Sequence, residues 1–302
     1  MSLYRRHVIE GSEPGPRLLI LAGVHGDECE PMVAVSRLRR EIAAEDLRGR
    51  LTLIPVANES AYRRLTRVGE DGLDLARTFP GNSNGSVTER LASELTDEIR
   101  NADYLIDLHT GGMRLDILPM TGFMLHADSK ILDQQRRIAE AFDLPIVWGT
   151  SATLEGRSLS AARDVGVPAI YAEYGGGGGF RNDTVAAYES GCVKVMAALE
   201  MIELAPFCSR VQRRIDDWGA DSGHLQVCHC APIDGVFVPG VELGTRVIVG
   251  QEIGRIVDLH SGEHTIVPAE KAGLVLTLYS FPHVERGTGL CVIIDIDPAE
   301  EE

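Results

Sequence analysis

Five short apolar runs punctuate the first two thirds of the chain, and longer amphipathic stretches separate them. The runs at 17–22, 50–56, 104–108, 145–149 and 168–173 are nearly continuous in apolar residues and read as buried strands. The stretches 29–45, 87–101, 129–142, 158–165 and 183–204 space their apolar residues as helices do. Ser86-Val87-Thr88-Glu89 carries the serine and glutamate of a capping box, which fixes the start of the second of these helices. Regular alternation of this kind predicts an α/β fold, a sheet covered by helices. Ligands of such sheets gather beyond the carboxyl ends of the strands.

After about residue 208 the pattern changes. Strand-like runs at 235–238, 246–249, 253–257, 274–278 and 291–294 alternate with Gly and Pro turns, with no helix of useful length. This predicts a smaller all-β domain. The expected division is 1–213 and 214–302, with the seam between Arg213 and Asp221. Within the second part, Ala231-Pro232-Ile233-Asp234-Gly235-Val236 and Val267-Pro268-Ala269-Glu270-Lys271-Ala272-Gly273-Leu274 read as two copies of one unit. They lead to glycine-rich turns at 244–250 and 287–289.

Composition narrows the field of functions. The 302 residues are 44% hydrophobic and 25% charged, ordinary for a globular protein. No apolar run approaches the ~20 residues of a membrane span. Met1-Ser2-Leu3-Tyr4-Arg5-Arg6 lacks the apolar core of a signal peptide, so a cytoplasmic location is expected. A formal charge of −16 argues against nucleic acid as a partner, whereas local arginines can still recruit a small anion. The sequence leaves a homo-oligomer open. The six cysteines form no Cys-x-x-Cys. Cys228-His229-Cys230 would alternate across a strand, so buried free thiols are expected rather than a metal site.

His-x-x-Glu occurs three times, at His7/Glu10, His25/Glu28 and His260/Glu263. Only His25 follows a buried-looking strand and opens a helical segment; His7 lies at a polar edge and His260 in a hairpin-like turn. A second histidine, His109, ends the run Tyr104-Leu105-Ile106-Asp107-Leu108-His109 before a glycine turn. Two imidazoles and one carboxylate delivered from strand ends make an open three-ligand zinc site, one Zn²⁺ per chain, with room for water. Asp107 shares a strand face with His109. It is either an acceptor that orients a metal-binding imidazole or a buried aspartate bonded to backbone. Glu173 ends a third apolar strand just before Gly175–Gly179. It is either a general base of raised pKa or a cap for the glycine run. No Gly-Lys-Ser/Thr follows that run, which argues against a nucleotide loop. Arg77 is the best candidate for holding an anion. Arg63, Arg64 and Arg67 read as a solvated basic face, Arg157 as a weaker anion site, and Lys271 as a surface lysine with no attached cofactor.

These residues resemble the succinylglutamate desuccinylase/aspartoacylase family of zinc carboxypeptidase-like hydrolases. Gly23-Val24-His25-Gly26-Asp27-Glu28 and Asp107-Leu108-His109-Thr110-Gly111-Gly112 are similar to its two metal motifs. Ala172-Glu173-Tyr174-Gly175-Gly176-Gly177-Gly178 is similar to its catalytic glutamate segment, and Asp71–Gly81 to its substrate-binding stretch. The resemblance implies a mixed sheet sandwiched by helices and a C-terminal sandwich of biotinyl/lipoyl type. It implies Zn²⁺ on His25, Glu28 and His109, Glu173 as catalytic base and acid, and Arg77 on the substrate carboxylate. It also favours Arg67, since family members often carry an arginine about ten residues before the one aligned with Arg77. The family pattern Asn-Leu-Asn-Arg is here Asp74-Leu75-Ala76-Arg77, so half of the usual carboxylate clamp is a methyl group. The implied activity is removal of an acyl group from an N-acylated amino acid or a related small polar amide. A zinc carboxypeptidase or esterase, or a binding protein that kept the metal, are the alternatives.

Overall fold

The computed structural model describes residues 3–220, 222–225 and 228–295. The chain runs through β1 (His7–Glu10), β2 (Glu13–Ala22), α1 (Cys29–Glu41), β3 (Arg48–Ile54), α2 (Glu59–Arg64) and α3 (Val87–Arg100). Next come β4 (Tyr104–His109), β5 (Leu115–Met124), α4 (Ser129–Phe142), β6 (Ile146–Thr150), α5 (Ser158–Val165), β7 (Ala169–Gly176) and α6 (Asn182–Ala198). Short strands follow: β8 (Arg213–Asp216), β9 (Gly235–Pro239), β10 (Arg246–Val247), β11 (Glu252–Val257), β12 (His264–Pro268), β13 (Gly273–Tyr279), β14 (His283–Val284) and β15 (Cys291–Ile294).

The side chains of β2 show why its run is apolar without a break. Leu18, Ile20 and Ala22 pack with Ala34, Val35 and Leu38 of α1 and with residues of α4 and α6. Leu19 and Leu21 point the other way, against Leu91, Leu95 and Ile99 of α3 and Leu159 of α5. A strand covered by helices on both faces has no solvent side and so no polar alternation. The sheet has eleven strands, ordered β1-β3-β2-β4-β7-β5-β13-β10, with β6, β8 and β15 attached. It is mixed: β3, β2, β4 and β7 run parallel, whereas β5 is antiparallel to β7 and β13. The serine at the head of α3 makes both bonds of its capping box with Glu89.

Three features depart from the sequence reading. Strand β5 was not expected, because Pro119 and Gly122 break its pattern; the pairing with β7 shifts register between Ile117 and Met120, and that irregularity absorbs the proline. The helices expected over 29–45 and 183–204 end at Glu41 and Ala198. The late strands do not all form a sheet of their own: β13 pairs with β5 (Thr277↔Ile117, Tyr279↔Leu115), and β8 pairs with β6. Strands β10 and β15 pair with β13 in that same large sheet, and a separate sheet, β12-β11-β9-β14, holds the other four late strands.

The two similar units do repeat at the level of backbone bonding. Ala231 N–H donates to Thr288 O and its carbonyl accepts from Gly287 N–H; Ala269 N–H donates to Gln251 O and its carbonyl accepts from Gly250 N–H. The cysteines are free, but Cys230 is exposed and Cys228 partly so, which corrects the expectation that both are buried. His229 bonds through Nδ1 to Cys291 O and accepts Glu270 N–H at Nε2, so neither ring nitrogen is left for a metal. Among the described residues no helix is long and apolar enough to cross a membrane.

Candidate metal centre and active site

Strand register brings the chemistry together. Adjacent parallel strands β4 and β7 pair His109 with Glu173 and Asp107 with Tyr171. All four side chains therefore leave the same face at the carboxyl ends of the two strands. His25 and Glu28 come from the turn between β2 and α1, beside them. Gly26 is required there, because a Cβ at that position would lie 2.0 Å from the Ala61 carbonyl carbon. His25, Glu28 and His109 are buried, and one donor atom from each lies within 4.8 Å of the others.

The orientation of the two rings is set from behind. His25 Nε2 donates to Asp74 Oδ1 at 3.2 Å, and His109 Nε2 lies 3.2 Å from Asp107 Oδ2. Ionised carboxylates only accept, so with a metal on the Nδ1 side each ring would carry its hydrogen on Nε2. Both Nδ1 atoms face Glu28, at 2.6 Å from Oε1 for His25 and 3.1 Å from Oε2 for His109. Three ligand atoms packed so closely either share protons or could hold a metal ion between them. The donor set, two imidazoles and a carboxylate, is one that suits catalytic zinc. Asp107 Oδ2 thus lies behind the His109 ring and also accepts from the Ser158 hydroxyl. Thr110 N–H donates to Glu28 Oε2, and the Tyr188 hydroxyl holds the His109 carbonyl.

Electrostatics follow from this packing. Burial alone would raise the Glu28 carboxyl, but the two imidazoles outweigh it and hold that group well below the usual carboxylate range. Burial disfavours charge on His109, yet Asp107 and Glu28 push its pKa well up. Glu173 behaves oppositely: burial, with Glu28 and Asp107 adding to it, pushes its pKa up to about 8 against the pull of His109 and Arg67. Its Oε2 is buried and has no hydrogen-bond partner among the described residues.

A cavity of about 100 Å³ is lined by these groups together with Ala76, Arg77, Arg157 and Tyr171. Arg77 donates to the Ala76 carbonyl at 2.7 Å. Arg67 donates through Nε to Asp74 Oδ2 at 2.9 Å, and its Nη1 comes within 3.4 Å of His25 Nδ1. Asp74 was not singled out in the sequence. It accepts from His25, Ala76 N–H and Arg67 at once, and so ties the ring to the arginine. Arg157, expected as a weaker anion site, is better placed than that. It lines the cavity, its Nη2 is buried without a partner among the described residues, and burial together with Arg77 lowers its pKa to about 10. Arg63 and Arg64 lie on the exposed face of α2, outside the site. Lys271 is 3.3 Å from Asp295, far along the chain in the β region.

The catalytic-domain model of the succinylglutamate desuccinylase/aspartoacylase family matches residues 14–199. An N-alpha-acetyl-L-2,4-diaminobutyric acid deacetylase from Halomonas elongata is 32% identical over 294 residues, which cover 93% of this chain and 83% of that protein. A succinylglutamate desuccinylase/aspartoacylase from Rhodobacter sphaeroides superposes with a TM-score of 0.86 at 26% identity, over 97% of this chain and 89% of that one. The product-bound ectoine utilization protein EutE from Ruegeria pomeroyi gives 0.86 at 27% identity, over 95% and 87%. On the length of these matches and on the four motifs around the cavity, the chain belongs to the succinylglutamate desuccinylase/aspartoacylase family.

Proposed function

We propose that the protein is a zinc-dependent deacylase that hydrolyses the amide of an N-acylated amino acid. The observation that carries this reading is the meeting of three inward-facing acceptors with a buried, unpartnered carboxyl, Glu173, at one end of a small cationic cavity. His25, Glu28 and His109 would hold the zinc, and Glu173 would act as the catalytic residue. A zinc ion supplies a Lewis acid for the scissile carbonyl and lowers the pKa of a water. Glu173 takes the proton released on attack and returns it to the leaving amine nitrogen. A pKa raised toward neutrality suits a group that must do both. Arg67 sets a fixed positive charge beside the triad, where negative charge develops on the carbonyl oxygen.

The amino-acid carboxylate is read by Arg77 and Arg157. Both line the catalytic cavity, and Arg157 brings a buried N–H with no partner among the described residues. Ala76 contributes a methyl wall where the family pattern has an amide. The deacetylase relative supports an acyl amino acid as substrate. We also read 214–302 as a small β domain of biotinyl/lipoyl type beside a 1–213 hydrolase domain, a reading supported by the repeated turn bonds and the four-stranded sheet.

The test is hydrolysis of a panel of N-acetyl, N-succinyl and N-formyl amino acids, with and without chelator. Chelator-sensitive release of the free amine from at least one member is expected. Hydrolysis that survives complete zinc removal, or none by the zinc-loaded protein on any member, overturns the proposal.

A further inference from the structure

A second cavity of about 640 Å³, roughly six times as large, adjoins the catalytic one. The two share Glu28, Arg67, Gly111 and Leu115, so they meet at the metal centre. The outer cavity has walls from both ends of the chain. One wall is the turn between β4 and β5 with Met113; another is the segment after β13 with Phe281. They are fastened together: Ser280 donates through N–H and Oγ to the Arg114 carbonyl at 2.8 and 3.0 Å. Arg114 stacks over the Phe281 ring, 6.0 Å from its centre. The glycine run braces the same turn, with Gly177 N–H on Leu115 O and Gly178 N–H on Gly112 O. Gly176 has φ +110°, and a Cβ there would lie 2.2 Å from Leu115 O, so only glycine permits this docking.

We propose that the outer cavity is an acyl subsite, built to take aliphatic acyl chains longer than acetyl. The inference rests on the deacylase reading above. A leaving amine must depart on the side of its proton donor. Glu173, Arg77 and Arg157 all line the inner cavity and none lines the outer one. The amino-acid half of the substrate therefore points inward, and the substituent across the scissile carbonyl points outward. What it meets there includes an apolar cluster, set beside Asp27, Thr66, Arg114 and Thr288. Leu65, Met113 and Phe281 line the outer cavity with 64%, 47% and 43% of their surfaces exposed. Large apolar side chains gathered around one opening mark a binding surface. The charged groups beside them are engaged: Asp27 Oδ2 accepts Met113 N–H, Arg67 bonds Asp74, and Arg114 covers Phe281.

The test uses the zinc-loaded protein and the N-acetyl, N-butyryl, N-hexanoyl and N-octanoyl derivatives of one amino acid. kcat/KM should rise about two- to fourfold per added methylene until the cavity is filled. Phe281→Ala and Met113→Ser should each lower the octanoyl-to-acetyl ratio about tenfold. A ratio below one in the wild type, or one that neither variant moves, overturns the subsite. Calorimetric titration with octanoate and with acetate separates this inference from the deacylase reading. Octanoate binding that is tighter than acetate and weakened by Phe281→Ala supports the subsite even if no acyl amino acid is hydrolysed. Equal binding of the two overturns it even if N-acetyl substrates are cleaved.

Discussion

Asp74 links His25, a candidate metal ligand, to the arginine beside it, and the link can be taken apart. One oxygen accepts from His25 Nε2 and Ala76 N–H; the other accepts from Arg67 Nε. In Asp74→Asn the first oxygen remains an acceptor, so the ring keeps its hydrogen bond. The second becomes an amide NH₂ that faces a guanidinium, donor against donor. Losing a charged hydrogen bond of this kind costs about 1.5–3 kcal/mol. Arg67 should then swing from the triad, and kcat/KM should fall roughly ten- to hundredfold with zinc still bound. Asp74→Ala removes both links. Loss of an orienting acceptor weakens metal binding by about ten- to hundredfold. Zinc affinity is measured by competition with a chromophoric chelator, and kinetics at saturating zinc. The reasoning fails if Asp74→Ala binds zinc as the wild type does, or if Asp74→Asn is kinetically silent.

Glu173→Gln should bind zinc and fold normally while kcat drops about 10²–10⁴-fold, and the rise of activity with pH governed by this group should vanish. The raised pKa also predicts a stability effect in zinc-free protein. Protonated Glu173 is favoured in the fold, so its contribution is fully present below about 4.5 and lost as pH rises through about 8. Thermal melting of chelated Glu173→Gln should be flatter across that window than the wild type; parallel curves would exclude the group. Arg77→Ala should lower kcat/KM by about 1–3 kcal/mol equivalent, and Ala76→Asn should raise it for substrates with a free α-carboxylate. If the arginine change is silent and the asparagine harmful, the substrate lacks that carboxylate.

The parts of the site legible in the sequence were those that end apolar strands. His109 and Glu173 each close a buried run, and His25 and Glu28 follow one at a glycine turn, so local pattern placed them at strand ends. The parts that escaped notice depend on contacts between distant segments. Asp74 sits in a short turn after a loop, and nothing local shows that it reaches His25, forty-nine positions away. Tyr171 reads as one more apolar strand residue until register puts it opposite Asp107 on the cavity side. Arg157 reads only as a weaker anion site at a helix start, and burial, with a nitrogen that has no partner among the described residues, raises its standing. The same division holds for the fold. Both-face burial made β2, β4 and β7 visible as apolar runs. Strand β5 hid behind a proline that its register shift accommodates, and the pairing of β13 with β5 is a long-range event that no local signal announces.

A zinc ion held by His25, Glu28 and His109 underlies the proposed chemistry. It is tested most directly by crystals of the zinc-loaded protein, with anomalous scattering recorded at the zinc edge. The account predicts one zinc per chain between the two Nδ1 atoms and the Glu28 carboxylate, at ~2.0–2.2 Å, and no peak there in the His25→Ala/His109→Ala protein. A fully occupied zinc elsewhere in the chain, with that triad empty, would contradict it.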